Sequence, residues 1–286
     1  MIRLLRPILA AALLATAAAT AFAVTPGREH ALDPERAGLP FEPVTFPSAV
    51  DSVRLSGWWF DGPAKSPVIV CCPRGRGTMA DLLPSVREFV RRGFTVMTFD
   101  YRDFGPSAEG QPDSLANLVF ASRWVADGLG ALRYAKQHGG GRTVFAWGQD
   151  IGGPVALAAG ARDWSCVDAI AIEGTFRTSL EQVEMNGTAQ IAGVQRMHRL
   201  YVDSRDEPVS AVPVLRVPLF VVLAGKDEVT PSAITQRVTM KSVSIIDRWT
   251  IPAAAHDGAE LTPGYFDRLA AWFKRIAMLL PARSTP

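Results

Sequence analysis

Three ionisable residues, Asp150, Asp227 and His256, have the types and the order that could support catalysis in this sequence. Each follows a short apolar run that is typical of a buried strand. In an open parallel sheet, active sites form beyond the carboxyl ends of the strands, so we expect these side chains to meet. A carboxylate that accepts a hydrogen bond from an imidazole fixes its tautomer and stabilises its cation. The pattern therefore predicts a histidine base, with Asp227 as its acid partner, beside the carboxylate of Asp150.

The segment Gly148–Gly153 predicts how Asp150 is presented. On one side of it is the predicted strand that begins at Arg142 and is mostly apolar. On the other side is a run of small residues from Pro154, and this run is typical of a helix start. The middle residue of such a sharp turn is forced toward positive φ, so its neighbours must be small, and glycine has no Cβ to clash. We therefore expect the Asp150 side chain to stand clear of the sheet.

Asp150 itself admits three interpretations. As a nucleophile, its carboxylate would form an ester with the substrate, and water activated by His256 would then release the product. A carboxylate attacks an ordinary ester poorly, because the product is a less stable anhydride, whereas a halide-bearing carbon or an epoxide gives a stable ester. The second interpretation is a degenerate esterase that has lost hydrolysis and binds a ligand or partner. In the third, Asp150 is structural and a nearby serine such as Ser107 acts.

His256 and Asp227 also have structural alternatives. Of the four histidines, His256 alone lies in a loop of small residues after the last predicted strand, but it could be an ordinary loop histidine. Asp227 could cap the helix predicted to begin at Pro231.

Other candidate residues lie at neighbouring strand ends and loops. The backbone N–H groups of Ile151 and of the loop near Arg76 are the predicted oxyanion-hole donors. Glu173 is a reserve acid, with an ion pair to a cation such as Arg177 as its structural alternative. Arg74 and Arg76 either bind an anionic group of the substrate or are solvated loop cations.

The elements that must position these residues alternate between strands and helices, which predicts a parallel sheet covered on both faces. Residues 24–286 are predicted to form one α/β domain. Residues 25–45 are predicted to be an extended lead-in, and the weakly patterned insert 175–212 to be helices interrupted by turns. Ser114 is the predicted cap of a helix that ends near His138. The predicted strands are 53–60 (an antiparallel edge strand), 66–72, 94–99, 142–148, 167–172, 218–223 and 242–251, and the other predicted helices are 79–92, 231–240, 265–280 and one from 154.

The first 23 residues are typical of a secretory signal. Arg3 and Arg6 precede the apolar run Ile8–Ala19, and Ala21–Ala23 has the small-x-small pattern of a cleavage site. This predicts a periplasmic or secreted protein without a stable membrane anchor, and an uncleaved anchor is the alternative.

Composition limits the other classes of function. The chain has 286 residues, 48% of them hydrophobic, which fits one domain with a sizeable core. A net charge of +2 gives no reason to expect nucleic acid as a partner. Cys71, Cys72 and Cys166 lack the spacing of a zinc site or a disulfide framework, and we interpret them as buried apolar residues. We expect a monomer that acts on a small molecule, without cofactor or metal ion.

The order Asp150, Asp227, His256 at successive strand ends resembles the α/β-hydrolase superfamily over nearly the whole mature chain. Two segments, Phe99–Ser107 and Ile172–Leu180, are similar to its capless branch, near the serine aminopeptidases and acyl hydrolases. The resemblance implies a mostly parallel sheet flanked by helices, with a short insert in place of a large cap. It also implies a hydrolase, and acyl-ester hydrolysis is one alternative.

The turn around Asp150 differs from that branch, where most members carry serine, and resembles the turn of epoxide hydrolases and haloalkane dehalogenases. That likeness implies a small organic substrate and a covalent enzyme ester. Three features depart from it. Ile151 stands where those families place tryptophan, the insert has Tyr201 as its only tyrosine and no tryptophan, and Arg74–Gly77 replaces a His-Gly-x-Pro loop.

Overall fold

Continuous apolar runs form the central strands of an eight-stranded sheet in the computed structural model, which describes residues 25–107, 120–185 and 194–280. The sheet strands are β2 (Glu42–Pro47), β3 (Arg54–Phe60), β4 (Val68–Cys72), β6 (Thr95–Phe99), β7 (Val144–Gln149), β8 (Ala169–Glu173), β9 (Leu219–Ala224) and β10 (Ile246–Ile251), and β1 (Thr25–Pro26) pairs with β5 (Arg76–Gly77) in a separate two-stranded sheet.

The strand order across the sheet is β10-β9-β8-β7-β4-β6-β3-β2. All neighbours from β10 to β6 are parallel, and β3 pairs in antiparallel fashion with both β6 and β2. The register places Gln149 opposite Glu173, so β7 and β8 end at the same edge. The predicted mostly parallel sheet is confirmed, and its carboxyl edge carries the residues that precede Asp150.

Helices cover both faces of the sheet, as predicted. They are α1 (Leu83–Arg91), α2 (Ser122–His138), α3 (Gly152–Arg162), α4 (Ser179–Met185), α5 (Val194–Tyr201), α6 (Pro208–Ala211), α7 (Ser232–Thr239) and α8 (Tyr265–Leu279). The last of these packs with α1 on one face, where Phe89 and Phe273 are buried. The other face is covered by α2 and α3, which bury Trp124 and Val155.

The edge strand in the N-terminal half of the sheet is not the one that the sequence predicted. We expected residues 53–60 to be the edge strand and residues 25–45 to be a lead-in, but β2 forms the edge and β3 lies between β2 and β6. Proline has no N–H to donate, and Pro43 and Pro47 are tolerated in β2 because one side of an edge strand has no ladder to complete. Covered on both sides, β3 buries Trp59 and Phe60.

Two helix starts and one strand start differ from the prediction by four residues or more. Residues Met79–Leu82 form a 3-10 turn capped by Thr78 before α1 begins. Ser114 lies outside the described residues, and the described helix α2 begins at Ser122, after extended backbone at Ala121. β10 begins four residues later than expected, because the chain bends at residues 243 and 244. The insert contains α4, α5 and α6, with residues 186–193 outside the described chain.

The three cysteines are free and buried. Cys71 belongs to the core on the α1 and α8 side and Cys72 to the core on the other, as expected for neighbours in a strand. Burial raises the pKa of Cys72 to about 12, so its thiol stays protonated at neutral pH. Across the three described ranges, we find no helix with the length and apolar character needed to span a bilayer.

Candidate active site

The turn between β7 and α3 holds Asp150 in the left-handed region, with φ +49°. A Cβ added at Gly148 would lie 2.2 Å from the carbonyl oxygen of Gly152, and one added at Gly152 would lie 2.3 Å from that of Cys72. No side chain fits at either position, as the sequence predicted. The turn therefore presents Asp150 at the carboxyl end of β7, where 13% of its side chain is exposed.

The loop after β10 brings His256 to this carboxylate. His256 Nε2 lies 3.9 Å from Asp150 Oδ1, and His256 Nδ1 lies 3.1 Å from Asp227 Oδ2. In a neutral imidazole, an N–H at Nδ1 donates to Asp227 and leaves Nε2 as the proton acceptor. The structure thus brings together the three residues that the sequence singled out, and Nε2 faces Asp150.

Asp227 contacts His256 and does not cap the helix, because α7 begins after Pro231 without a side-chain cap. Its Oδ1 accepts hydrogen bonds from the N–H groups of Val229 (2.8 Å) and Thr230 (2.7 Å), which shape the turn before α7. Its Oδ2 accepts from the Thr230 hydroxyl at 2.8 Å and faces His256. Burial opposes its charge, but hydrogen bonds from His256 and Thr230 outweigh that effect and hold the pKa of the Asp227 carboxyl below its usual value. Asp227 is therefore an anion beside the imidazole.

Arg76 approaches the site with its side chain. Its Nε lies 3.4 Å from Asp150 Oδ2, and its Nη2 contacts Asp257 Oδ2. Asp257 follows His256 directly, has φ +56°, and places Oδ1 3.6 Å from His256 Nε2. Sequence reasoning missed Asp257, although an Asp-Gly pair after a candidate histidine suits a tight turn with positive φ.

Opposing effects set the pKa of Asp150. Burial is the largest and favours the protonated acid, whereas the nearby charges of His256, Arg76 and Arg74 favour the carboxylate. Burial prevails, so the pKa of Asp150 lies above its usual value of 3.8. A raised pKa marks a carboxylate that is less well solvated than one in water, which is a property of many reactive side chains.

A buried polar network lies behind the turn. Arg74 donates to Gln149 Oε1 from Nε (3.0 Å) and Nη2 (2.6 Å), and Nη2 also lies 2.5 Å from Glu260 Oε1. Gln149 in turn donates to Glu173 Oε2 at 2.5 Å. Arg74 and Arg76 each contact acidic groups of the chain, and the Arg76 side chain is 37% exposed, so binding of an anionic substrate group by either residue stays a prediction.

Glu173 belongs to this network rather than to the histidine. Its carboxylate accepts hydrogen bonds from Gln149, from the N–H of Ala259 (3.2 Å) and from the Tyr265 hydroxyl (3.3 Å). Burial raises its pKa. The suggested ion pair with Arg177 is wrong, since Arg177 pairs with Glu181. Asp227 is the acid that contacts His256, and the role of Glu173 as a reserve acid stays a prediction.

Ser107 has a structural contact. Its hydroxyl accepts a hydrogen bond from the Ser56 N–H at 2.8 Å, and the residue is 1% exposed. This contact ties the loop after β6 to β3. The hypothesis that Ser107 replaces Asp150 as the nucleophile gains no support from this position.

The loop Pro73–Gly77 lies against the turn. The Tyr101 hydroxyl donates to the Pro73 carbonyl at 3.1 Å, and a Cβ added at Gly75 would lie 2.8 Å from Ile151 Cγ1. The strand pair β1–β5 fixes the far end of this loop. Ile151 and Arg76, the two predicted oxyanion-hole residues, both lie next to Asp150, and the donor role of their N–H groups stays a prediction.

The charges around Asp150 bear on whether a metal ion fits. Asp150, His256 and Asp257 offer ligand atoms within 4.8 Å of one another, a grouping that could hold a cation. The guanidinium of Arg76 already contacts both carboxylates and supplies the positive charge there. A metal ion bound by these three residues would have to displace this guanidinium.

Comparisons with known proteins agree with the fold. No protein-family model matches the chain. It is 24% identical over 264 residues to protein Bem46 of Schizosaccharomyces pombe, covering 89% of this chain and 84% of that protein. It is 33% identical over 141 residues to the uncharacterized protein YfhR of Escherichia coli O157:H7, a match that covers only 47% of each chain. The chain thus spans about half the length of YfhR.

A solved structure gives the architecture. The esterase Pf2001 of Pyrococcus furiosus superposes with a TM-score of 0.68 at 17% identity, covering 88% of this chain and 96% of the esterase. At that identity the likeness concerns the fold. Together with the mostly parallel sheet and its flanking helices, it confirms the α/β-hydrolase fold that the sequence predicted.

Proposed function

We propose that the protein is a hydrolase in which the Asp150 carboxylate attacks a saturated electrophilic carbon, such as that of an alkyl halide or an epoxide. The observation that carries this proposal is the placement of His256, whose Nδ1 contacts Asp227 while Nε2 lies 3.9 Å from Asp150 Oδ1. The α/β-hydrolase-fold esterase that the chain resembles supports hydrolysis as the class of reaction.

In the first step, Asp150 Oδ1 forms a bond to the substrate carbon, and the bond from that carbon to the halide or epoxide oxygen breaks. A halide leaves as the free anion, and the alkoxide formed from an epoxide takes a proton from water. The distance of 3.9 Å to His256 Nε2 exceeds a hydrogen bond. Such a gap suits a carboxylate, because an anion already has its attacking electron pair and needs no base to remove a proton. A serine at this position would need the closer contact.

In the second step, water adds to Cγ of Asp150 as His256 Nε2 takes one of its protons. Negative charge develops on Asp150 Oδ2, which faces Arg76 Nε. Collapse of this intermediate releases the product alcohol, which carries Oδ1 away, and the oxygen of the water stays in the Asp150 carboxylate. Asp227 stabilises the imidazolium until it returns its proton.

The type of nucleophile selects the substrate. A carboxylate that attacks an ordinary ester makes an anhydride, which is less stable than the ester it replaces. Attack on a strained ring or on a carbon with a halide leaving group makes a stable ester instead. Acyl-ester hydrolysis, the reaction of an esterase such as Pf2001, is therefore not the reaction that we propose for Asp150.

One observation favours a second candidate function. Arg76 Nε lies 3.4 Å from Asp150 Oδ2, and an ion pair makes a carboxylate a weaker nucleophile. A catalytically degenerate protein that binds a ligand through the inherited site would also tolerate this pair. The same experiment separates the two functions.

The test is a single turnover with an alkyl halide or epoxide in oxygen-18 water. We expect the peptide containing Asp150 to gain one labelled oxygen, detected by mass spectrometry. Asp150→Asn keeps the size of the side chain and should lower turnover by about 10³-fold or more. Asp267→Asn, at a side chain that is 71% exposed on α8, is the control and should behave as wild type.

Two results would contradict the proposal: equal turnover by wild type and Asp150→Asn, or product formation with an unlabelled Asp150 peptide. Saturable ligand binding without turnover would support the second candidate. A further variant, Asp150→Ser, probes the surrounding donors, since esterase activity gained toward nitrophenyl acetate would require a competent histidine and oxyanion hole.

A further inference from the structure

We infer that Asp257 is a positioning residue, which holds the Arg76 guanidinium against Asp150 so that its charge stabilises the oxyanion formed during ester hydrolysis. This inference rests on the function proposed above, because the oxyanion arises only if Asp150 forms an ester. It assigns a role to a carboxylate that the triad of Asp150, Asp227 and His256 does not include.

The geometry shows how Asp257 acts through Arg76. The guanidinium is a rigid planar fork, so fixing one of its nitrogens restricts the others. Its Nη2 contacts Asp257 Oδ2, while Nε lies 3.4 Å from Asp150 Oδ2. The Arg76 side chain is 37% exposed, and a side chain of this length loses substantial rotamer entropy when it is held in one conformation. The contact of Asp257 with Nη2 opposes this loss and holds the guanidinium beside Asp150.

The backbone conformation and burial of Asp257 indicate that the loop holds this residue in a defined position. Asp257 has φ +56°, a conformation that is uncommon for residues other than glycine, and its side chain is 17% exposed. It follows His256 in the loop after β10. One loop therefore delivers both the base and the anchor of the guanidinium, and their positions relative to Asp150 are coupled.

Asp257 is close to both places where charge develops in the second step. Negative charge grows on Asp150 Oδ2, next to the Arg76 guanidinium. Positive charge grows on His256, whose Nε2 lies 3.6 Å from Asp257 Oδ1. In the first step, by contrast, Arg76 stabilises the carboxylate before it attacks and so does not speed the attack. Asp257 should therefore affect hydrolysis of the ester more than its formation.

The chain offers a matched pair of variants for the test, Asp257→Asn and Asp103→Asn. Asp103 also has positive φ (+72°), also pairs with an arginine (Arg123, 2.9 Å), and has a side chain that is 14% exposed. Asparagine tolerates the left-handed region, so both changes remove a charge without new backbone strain.

Rapid-quench kinetics with an alkyl halide or epoxide should separate the two steps. We expect Asp257→Asn to slow ester hydrolysis by about 10-fold to 100-fold, less than the roughly 10²-fold to 10³-fold effect of losing an oxyanion donor outright because Arg76 remains, and to leave ester formation within about 3-fold. The covalent ester, measured by intact mass, should then accumulate. Equal slowing of both steps, or an effect no larger than that of Asp103→Asn, would overturn the inference.

A double-mutant cycle tests whether Asp257 acts through Arg76. In an Arg76→Gln background, Asp257→Asn should slow ester hydrolysis by less than about 3-fold further, because the group that it holds is gone. Fully additive effects would show that Asp257 acts independently and would overturn the inference.

A spectroscopic measurement separates this inference from the proposed function. The Arg76 Nε–H signal, assigned by its loss in Arg76→Lys, should shift in nitrogen-15 NMR spectra of Asp257→Asn and not of Asp103→Asn. If wild type forms no ester, the proposed function fails and the kinetic role fails with it. The NMR result then still decides whether Asp257 holds Arg76, and an unchanged signal would overturn that too.

Discussion

At the scale of single residues, the site is a balance of charges around one carboxylate. Asp150 is poorly solvated, which raises its pKa, and three neighbouring positive or ionisable groups only partly offset that effect. A nucleophile benefits from weak solvation, provided that it stays ionised at the working pH. Arg76 helps to keep Asp150 ionised and, in the proposed second step, faces the oxygen that becomes negative.

This balance predicts the pH dependence of ester formation. The rate should rise with pH through the raised pKa of Asp150, so its acid limb should lie above the usual aspartate value of 3.8. Arg76→Gln removes a charge that favours the carboxylate and should move this limb to higher pH in a single-turnover profile. Arg133→Gln, at a half-exposed side chain paired with Asp163, is the control. A limb that stays in place or moves to lower pH in Arg76→Gln would refute this account.

The sequence was sufficient to predict that Asp150, Asp227 and His256 lie close together, because each follows an apolar strand and parallel strands end at a common edge. Asp257 and Glu260 were not predictable in the same way. Their roles depend on side-chain contacts with Arg76 and Arg74, which lie more than 180 residues earlier in the chain. No local pattern of residues encodes such a pairing.

At the scale of elements, the turn between β7 and α3 depends on close backbone approach. A Cβ added at Gly152 would lie only 2.3 Å from the carbonyl oxygen of Cys72, at the end of the neighbouring strand β4. Glycine-rich turns of this kind are readable from sequence. The pairing of β2 with β3 was not, since Glu42–Pro47 contains two prolines and forms a strand only because β3 offers it a partner.

Gly152→Ala should therefore destabilise the protein by about 1–3 kcal/mol, the range for overpacked sites, and should also reduce turnover by displacing Asp150. Chemical denaturation and steady-state kinetics measure the two effects. Gly140→Ala provides the comparison, because Gly140 has φ +62° but nothing within 4 Å of an added Cβ. It should cost about 1–2 kcal/mol through backbone strain and leave turnover unchanged. Normal turnover in Gly152→Ala would show that the turn tolerates a side chain.

At the scale of the whole molecule, the N-terminal segment is bound to the site rather than loosely wrapped around the sheet. β1 pairs with β5, and the Gly27 carbonyl accepts a hydrogen bond from the Gly105 N–H at 2.7 Å. His30 Nε2 lies 2.6 Å from the buried carboxylate of Asp100. These contacts were not foreseeable from a segment rich in proline and charge, because they depend on the loops that it meets.

We propose that residues 1–23 are removed on export, which leaves Val24 as the first residue of the mature protein. Intact-mass analysis of protein recovered from the periplasm or the medium should show this N-terminus. Replacing the small residue at the cleavage site, as in Ala23→Arg, should block processing and leave the longer chain. Unprocessed wild-type protein retained in the cell interior would contradict the proposal.

The pairing of Thr25–Pro26 with Arg76–Gly77 has a practical consequence for anyone purifying this protein. An affinity tag fused directly ahead of Thr25 would start next to Arg76, the residue with which Thr25 pairs. A tag joined to the carboxyl terminus, beyond α8, leaves that strand pair as it is.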